Sequence, residues 1–550
     1  MTSPERSRRA AIVALLSLSA LTGIARAATT PALVEAARQA DRALVRALLD
    51  KSPDVNASAP DGSTALHWSV QRGDADIAAM LMKAGADVNA ANRYGVRPLT
   101  LAAVNGSARL VDLLLQGGAD PNAASLEGET VLMTAARTGS VEVLKLLIGR
   151  GAEVNRRDQS RGQTALMWAA GANNAEAVRV LLEVGADLGA RTNTAPRAAG
   201  RRSESGNTFS SPPPTGFTPL LFAVRAGGIE TVRVLLDAGA DVNDTLSDGE
   251  SALVVATANA HWALADFLLD RGADPNLAGA GWNALHQLVR ERRPNIGFGT
   301  PGPIPTGTLD SIRVIEKMIA KGVDLNARMT RNGMKDGQRN RLNRLGATAF
   351  FLAAKNTDTE VMRVLARAGA DARIPTADHT TPLMVAAGIA IWNPGEDGGS
   401  LPGQEGEVLE AVKMCVELGN DVNATNDFGE TALHGAAFRG VNAVADYLVE
   451  RGAKLDARDA RGWTPLAIAN GLTYTDFFKQ QVHTAELLKK LMQARGLPVE
   501  GHEVDSKVCL DCLQTRSDQA RAVVDRDRKM EAEFAAVQRN AAQGAREHRK

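Results

Sequence analysis

Ten glycines recur at a nearly fixed spacing: Gly62, Gly95, Gly128, Gly162, Gly216, Gly249, Gly281, Gly346, Gly429 and Gly462, with His379 at the equivalent place in one further copy. The intervals are 33, 33, 34, 54, 33, 32, 65, 33, 50 and 33 residues. A unit of this length cannot bury its own apolar face, so the chain is restricted to folds in which copies stack on their neighbours. Length alone would suggest about three or four globular domains, and the repeat replaces them with one array. With only 6 Trp, 3 Tyr and 12 Phe in 550 residues, the packing must be carried by thin layers of Ala and Leu.

Each copy has two recognisable halves. The first halves include GSTALHWSV, GETVLMTAA, GQTALMWAA, GFTPLLFAV, GWNALHQLV, GETALHGAA and GWTPLAIAN. The second halves include GADVN from Gly85 and Gly239, GADPN from Gly118 and Gly272, GAEVN from Gly151 and GNDVN from Gly419. Thr64, Thr130, Thr164 and Thr431 stand where a hydroxyl can cap a helix, and Pro219, Pro382 and Pro465 fall at the first helical position, where a missing N–H costs nothing. Val141, Val143, Leu144, Leu146 and Leu147 follow helical spacing in a second helix, which the next glycine stops in a left-handed conformation. The pattern resembles the ankyrin repeat. This implies an all-α solenoid of helix-turn-helix units joined by β-hairpin loops, with about eleven copies over residues 60–496 and a degenerate N-terminal capping repeat over 31–59.

Five insertions interrupt the array, near 192–215, 293–307, 330–343, 389–405 and 472–483. The first is rich in Arg, Ser and Pro and reads as an excursion rather than a repeat. Insertions in such arrays emerge as loops, frequently on the binding face. Outside the array, residues 1–27 read as a secretory signal: Arg6, Arg8 and Arg9 precede an apolar run from Ala10 to Ile24 and an Ala-Arg-Ala site, with cleavage expected after Ala27. The remaining chain carries 59 basic and 62 acidic side chains, and no membrane span is expected in it. An exported, periplasmic monomer follows as the expectation.

Catalytic motifs are thin. There is no G-x-x-x-x-G-K-[ST], H-E-x-x-H, G-x-S-x-G or dinucleotide fingerprint. His67, His286 and His434 sit at the fourth position of the TPLH-like motif, where the resemblance implies a structural imidazole linking adjacent copies. The tail, 497–550, contains Cys509-Leu510-Asp511-Cys512 followed by a charged helical segment. Leu513 stands where haem attachment would need His, and a zinc site would have only His502 as a further nearby ligand, so a local disulfide is expected, with redox or metal chemistry as the alternative. Cys415 reads as a buried helix residue, and no catalytic residue, metal or cofactor is expected.

A binding surface remains. The resemblance implies partner contacts at the hairpin tips flanking each turn glycine and at the ends of the concave inner helices. The tips carry Arg93, Tyr94, Glu127, Glu129, Arg161, Asp248, Glu250, Trp282, Phe428, Glu430, Arg461 and Trp463. The inner helix ends carry Gln71, Arg72, Asn105, Arg137, Arg225, Arg290, Lys355, Phe438 and Arg439. Of these, Arg93, Tyr94, Glu127, Arg137, Arg225, Trp282, Arg290, Phe428, Phe438, Arg439 and Trp463 are the expected partner contacts, because rings and Arg dominate interface energetics. The 63 basic and 63 acidic side chains give no electrostatic case for nucleic acid. The expected function is a non-catalytic protein-interaction scaffold of the cell envelope; the alternatives are a redox or haem-associated accessory using the tail cysteines, and a secreted effector.

Overall fold

The structure is a computed structural model that describes residues 30–194, 215–293, 304–332, 342–390, 405–474, 477–502 and the positions 529, 532 and 536. The signal segment, most of the first insertion and the Cys509/Cys512 pair lie outside the described residues. Chain packing divides into two compact units, Met1–Ala190 and Arg191–Lys550, the boundary falling where the first insertion begins.

Unit 1 contains five helix pairs: α1 (Ala32–Arg38) and α2 (Arg42–Leu49), α3 (Ala65–Gln71) and α4 (Ala75–Lys83), α5 (Pro98–Val104) and α6 (Ala108–Gln116), α7 (Val131–Thr138) and α8 (Val141–Gly149), α9 (Ala165–Gly171) and α10 (Ala175–Glu183). Unit 2 begins with α11 (Pro219–Ala226), α12 (Ile229–Asp237), α13 (Ala252–Ala258), α14 (Trp262–Asp270), α15 (Ala284–Arg292) and α16 (Ser311–Ala320). It continues with α17 (Ala349–Lys355), α18 (Thr359–Arg367), α19 (Pro382–Ala387), α20 (Glu405–Glu417), α21 (Ala432–Arg439), α22 (Asn442–Glu450), α23 (Pro465–Asn470) and α24 (Val482–Ala494). The N-terminal copy, degenerate in sequence, is thus a complete helix pair. The last insertion supplies the one named sheet among the described residues, an antiparallel hairpin of β1 (Leu472–Tyr474) and β2 (Phe477–Lys479).

Helix starts follow the residue chemistry. The hydroxyls of Thr130, Thr164, Thr348 and Thr464 accept the backbone N–H three residues on, at 3.2 to 3.4 Å, satisfying donors that the first turn leaves open. Proline opens α5, α11, α19 and α23. Where the fourth position is His, the Thr hydroxyl meets the ring instead, as at Thr64 and Thr431, both 2.9 Å from the imidazole Nδ1. Small residues set the spacing between first helices: Ala102, Ala103, Ala135, Ala136, Ala169, Ala170, Ala436 and Ala437 are all inaccessible to solvent.

The asparagine that ends each GADVN segment ties one copy to the next. Asn89 donates to the Gly118 carbonyl at 3.0 Å and accepts from the Asp120 N–H at 2.9 Å; Asn122 does the same with Gly151 and Glu153 at 3.0 and 2.8 Å. Gly189, Arg373 and Asp456 stand in place of this asparagine in other copies. The turn glycines adopt positive φ, and at Gly249 a Cβ would lie 2.4 Å from the Gly279 carbonyl carbon, so only glycine fits there. His379 takes the same left-handed conformation, with φ 61°.

Rings are distributed unevenly. Phe217, Phe222, Trp262, Phe350, Phe351 and Tyr447 are buried in unit 2, so a share of the scarce aromatic residues forms core rather than tips. Unit 1, by contrast, has only Trp68, Tyr94 and Trp168 among its described residues, and none of them is fully buried.

Candidate functional site

Within each unit the first helices pack side by side in one layer; the side of that layer and of the hairpin tips is called here the inner face. Tip positions are held by backbone contacts between copies: the Arg93 N–H donates to Asp61 O at 2.9 Å, and Gln159 N–H to Glu127 O at 3.0 Å. In unit 2 the Ala460 N–H donates to Phe428 O at 2.8 Å.

Four of the eleven expected contacts lie in unit 1. Arg93 and Glu127 are exposed, and Tyr94 is 69% accessible, standing out from its turn. Arg137, at the end of α7, lies 3.6 Å from Glu129 and 5.1 Å over the Trp168 ring of the next copy. Arg38 covers Trp68 in the same way at 5.9 Å. Trp68 and Trp168 occupy equivalent positions on α3 and α9, half-buried on the inner face, and sequence reasoning missed both. The signal was available: each is a large ring four residues after the capping Thr, and it is the one residue of its first helix, before the exposed last one, that is not buried. Leu126, 75% exposed, and Val104, 49% exposed, were also missed because aliphatic residues drew no attention.

The other seven lie in unit 2. Arg225 is exposed and spans Phe217 and Phe222 at 4.7 and 5.2 Å, which makes it as much a cover for the core as a contact. Phe428 is 41% exposed and Phe438 half-buried. Trp282 and Trp463 are half-buried; Arg461 lies 4.2 Å over the Trp463 ring, and the Trp282 indole N–H is buried with no acceptor among the described residues. Arg290 is held at 2.5 Å by Glu291. Arg439 departs from expectation: it is 3% exposed and donates to the Ala386 carbonyl at 2.7 Å, so it is a core link between copies and not a contact surface. Packing of α21 against α19, where Gly388 and Gly435 bring the backbones close, draws the side chain inward.

The motif histidines are structural in geometry. Nδ1 of His67 and of His434 accepts the Thr64 and Thr431 backbone N–H at 3.1 Å, and Nε2 donates across to Val96 O and Trp463 O, also at 3.1 Å. His286 donates to Ala327 O at 3.0 Å. Burial holds all three rings neutral, with the pKa of His286 pushed down to about 4. His502, weighed as a zinc ligand, is instead 6% exposed, 2.7 Å from the Thr464 hydroxyl and 3.0 Å from Pro498 O, seating residues 497–502 against the last copy. The Cys415 thiol is fully buried in α20 and burial raises its pKa, which leaves it unreactive. Among the described residues no group of three or more His, Cys, Asp or Glu is placed to hold a metal ion, and no helix is long and apolar enough to cross a membrane.

Similar proteins match parts of this chain. A 27% identical stretch of 158 residues covers 29% of this chain and 12% of a transient receptor potential cation channel subfamily A member 1 homolog of Caenorhabditis elegans. The p105 subunit of nuclear factor NF-kappa-B from Gallus gallus is 32% identical over 176 residues, 31% of this chain and 15% of that protein. The mitochondrial disaggregase of Bos taurus is 35% identical over 175 residues, 32% and 22% respectively. The chain therefore spans less than a quarter of the length of each. The crystal structure of the human ASB11 ankyrin repeat domain aligns over 99% of its own chain and 44% of this one, at 25% identity and a TM-score of 0.37. The family profile described as ankyrin repeats (3 copies) matches residues 33–125, 99–192, 202–279, 220–296 and 404–486, together more than half of the sequence. With that coverage, and with the capped helix pairs, left-handed turn glycines and asparagine links in place, the chain belongs to the ankyrin repeat family.

Proposed function

We propose that this protein is a non-catalytic scaffold that holds a protein partner on the inner face of its repeats, in the cell envelope, after export and removal of residues 1–27. Ankyrin repeats generally mediate protein–protein interaction, and the fold is typically a non-enzymatic module. The observation that carries the reading is the inner face of unit 1, where Tyr94, Leu126 and Val104 are exposed together with Arg93 and Arg137. Exposed rings and Arg side by side are the composition of interface anchors, and a soluble surface otherwise avoids grouping large apolar side chains. The relatives are in keeping with it, since a cation channel homolog, a nuclear factor subunit and a disaggregase each match this chain over less than a quarter of their own length.

Affinity capture of the mature chain from its own envelope extract tests the proposal. One partner, recovered stoichiometrically and lost with Tyr94→Ala/Leu126→Ser, is the expected result. Localisation of the chain outside the envelope, or recovery unchanged by that double variant, would contradict it.

A further inference from the structure

Several arginines of unit 1 are matched by carboxylates: Arg42 with Asp74 and Asp76 at 2.9 and 3.0 Å, Arg109 with Asp76 at 2.9 Å and Arg150 with Asp112 at 3.5 Å on the outer side, and Arg38 with Glu35 at 2.8 Å and Arg137 with Glu129 at 3.6 Å at the ends of first helices. On the inner face, Arg72, Arg93, Arg97 and Arg161 make no ion pair with any described carboxylate, and the Arg97 Nε is buried without an acceptor. Unit 2 neutralises the corresponding side: Arg290 pairs with Glu291, Arg292 with Asp358 and Arg461 with Glu430.

Apolar groups coincide with the unmatched charge. Unit 1 builds its core without one ring, yet all three of its rings, Trp68, Tyr94 and Trp168, are on the inner face. Leu126 abuts the Tyr94 turn closely enough that a Cβ on Gly95 would lie 3.1 Å from its Cγ. Val104 is exposed at the end of the first helix of the Tyr94 copy.

Resting on the reading that the chain binds a protein, we infer that unit 1 takes an acidic segment of its partner, one in which Asp or Glu residues alternate with an aromatic or long aliphatic side chain. The apolar side chain covers Tyr94 and Leu126, and the flanking carboxylates neutralise Arg93, Arg97 and Arg161. Unmatched cations beside an apolar patch give both steering and anchor energy, while the same cations disfavour a basic partner. A nucleic acid suits this face less well. Glu127 and Glu129 stand within the same row of tips and would oppose a continuous polyanion, and Trp68 and Trp168 lie beneath guanidinium groups rather than open to a base.

Fluorescence anisotropy with the full chain tests the assignment. Four labelled probes are titrated: a synthetic peptide alternating Asp or Glu with Phe or Leu, the same peptide with Lys for each acid, the same with Ser for each apolar residue, and a single-stranded oligonucleotide. The first should bind saturably and each of the others about tenfold more weakly or worse. Arg93→Glu/Arg161→Glu and, separately, Tyr94→Ala/Leu126→Ser should each weaken the first peptide by about tenfold, whereas Arg109→Glu on the outer side leaves it unchanged. Melting curves of the variants identify any that fail to fold, and the two pairs act independently, so one stable pair suffices. No saturable binding by the first peptide, equal binding by the oligonucleotide or the Ser-substituted peptide, or indifference to both pairs overturns the inference. A partner captured from the extract but unaffected by the Arg93/Arg161 pair would remove the inference and leave the broader scaffold reading standing.

Discussion

At the residue scale, the buried histidines and one half-buried carboxylate set opposite pH responses in neighbouring copies. The His286 ring is held neutral down to about pH 4, while an unfolded chain protonates it near its ordinary value, so the unfolded state binds the extra proton across that interval. Its contribution therefore weakens folding as pH falls from about 6.5 toward 4, by a total on the order of 3 kcal/mol. Glu250 runs the other way. Burial and the neighbouring Asp248 carboxylate raise its pKa to about 7, so stability is lost as pH rises between its ordinary value and 7. Thermal melts across pH 4.5 to 7 should show His286→Gln flattening the loss of stability on acidification and Glu250→Gln steepening it. The structural role of His67, His286 and His434 was legible because each stands three residues after its capping Thr or Asn. The burial of Arg439 was not, because it depends on how closely Gly388 lets α21 approach, and no side-chain pattern encodes that distance.

Elements follow local chemistry closely. Thr164 caps α9 by accepting the Met167 N–H, and Thr164→Ala should cost about 1 kcal/mol, read as a lowered urea midpoint with unchanged slope. Asn122→Ala removes two links between successive loops and should cost about 1 to 2 kcal/mol, while the same change at an exposed polar position without such links, Gln116→Ala, should be nearly neutral. Helix pairs were legible because cap, apolar spacing and stop glycine agree in copy after copy. Two things were not. The N-terminal pair lacks a turn glycine and so reads as half a copy, although Leu33, Val34, Ala36 and Ala37 on α1 are buried as in any other first helix. The buried Phe350 and Phe351 of α17 were likewise hidden, since a ring in a repeat dominated by Ala and Leu carries no mark of which side it faces.

For the whole molecule, the repeat makes stability a matter of neighbours: within each unit, first helices pack on the first helices beside them and on their own second helices. Binding and folding then separate: substitutions at Tyr94 and Leu126 touch the surface alone, and melting temperatures should stay within about 1 to 2 °C of the parent chain while partner recovery falls. Replacing Leu144, fully buried in α8, with Ala should do the reverse, lowering stability by about 3 kcal/mol before any effect on binding is seen. The most direct test is a hydrogen-exchange footprint of the chain alone and with its captured partner. Protection is predicted at the unit 1 tips around residues 93–97 and 126–129 and at the ends of α3 and α5, with the second helices of unit 1 unchanged. Protection confined to those second helices, or to unit 2, would contradict the account.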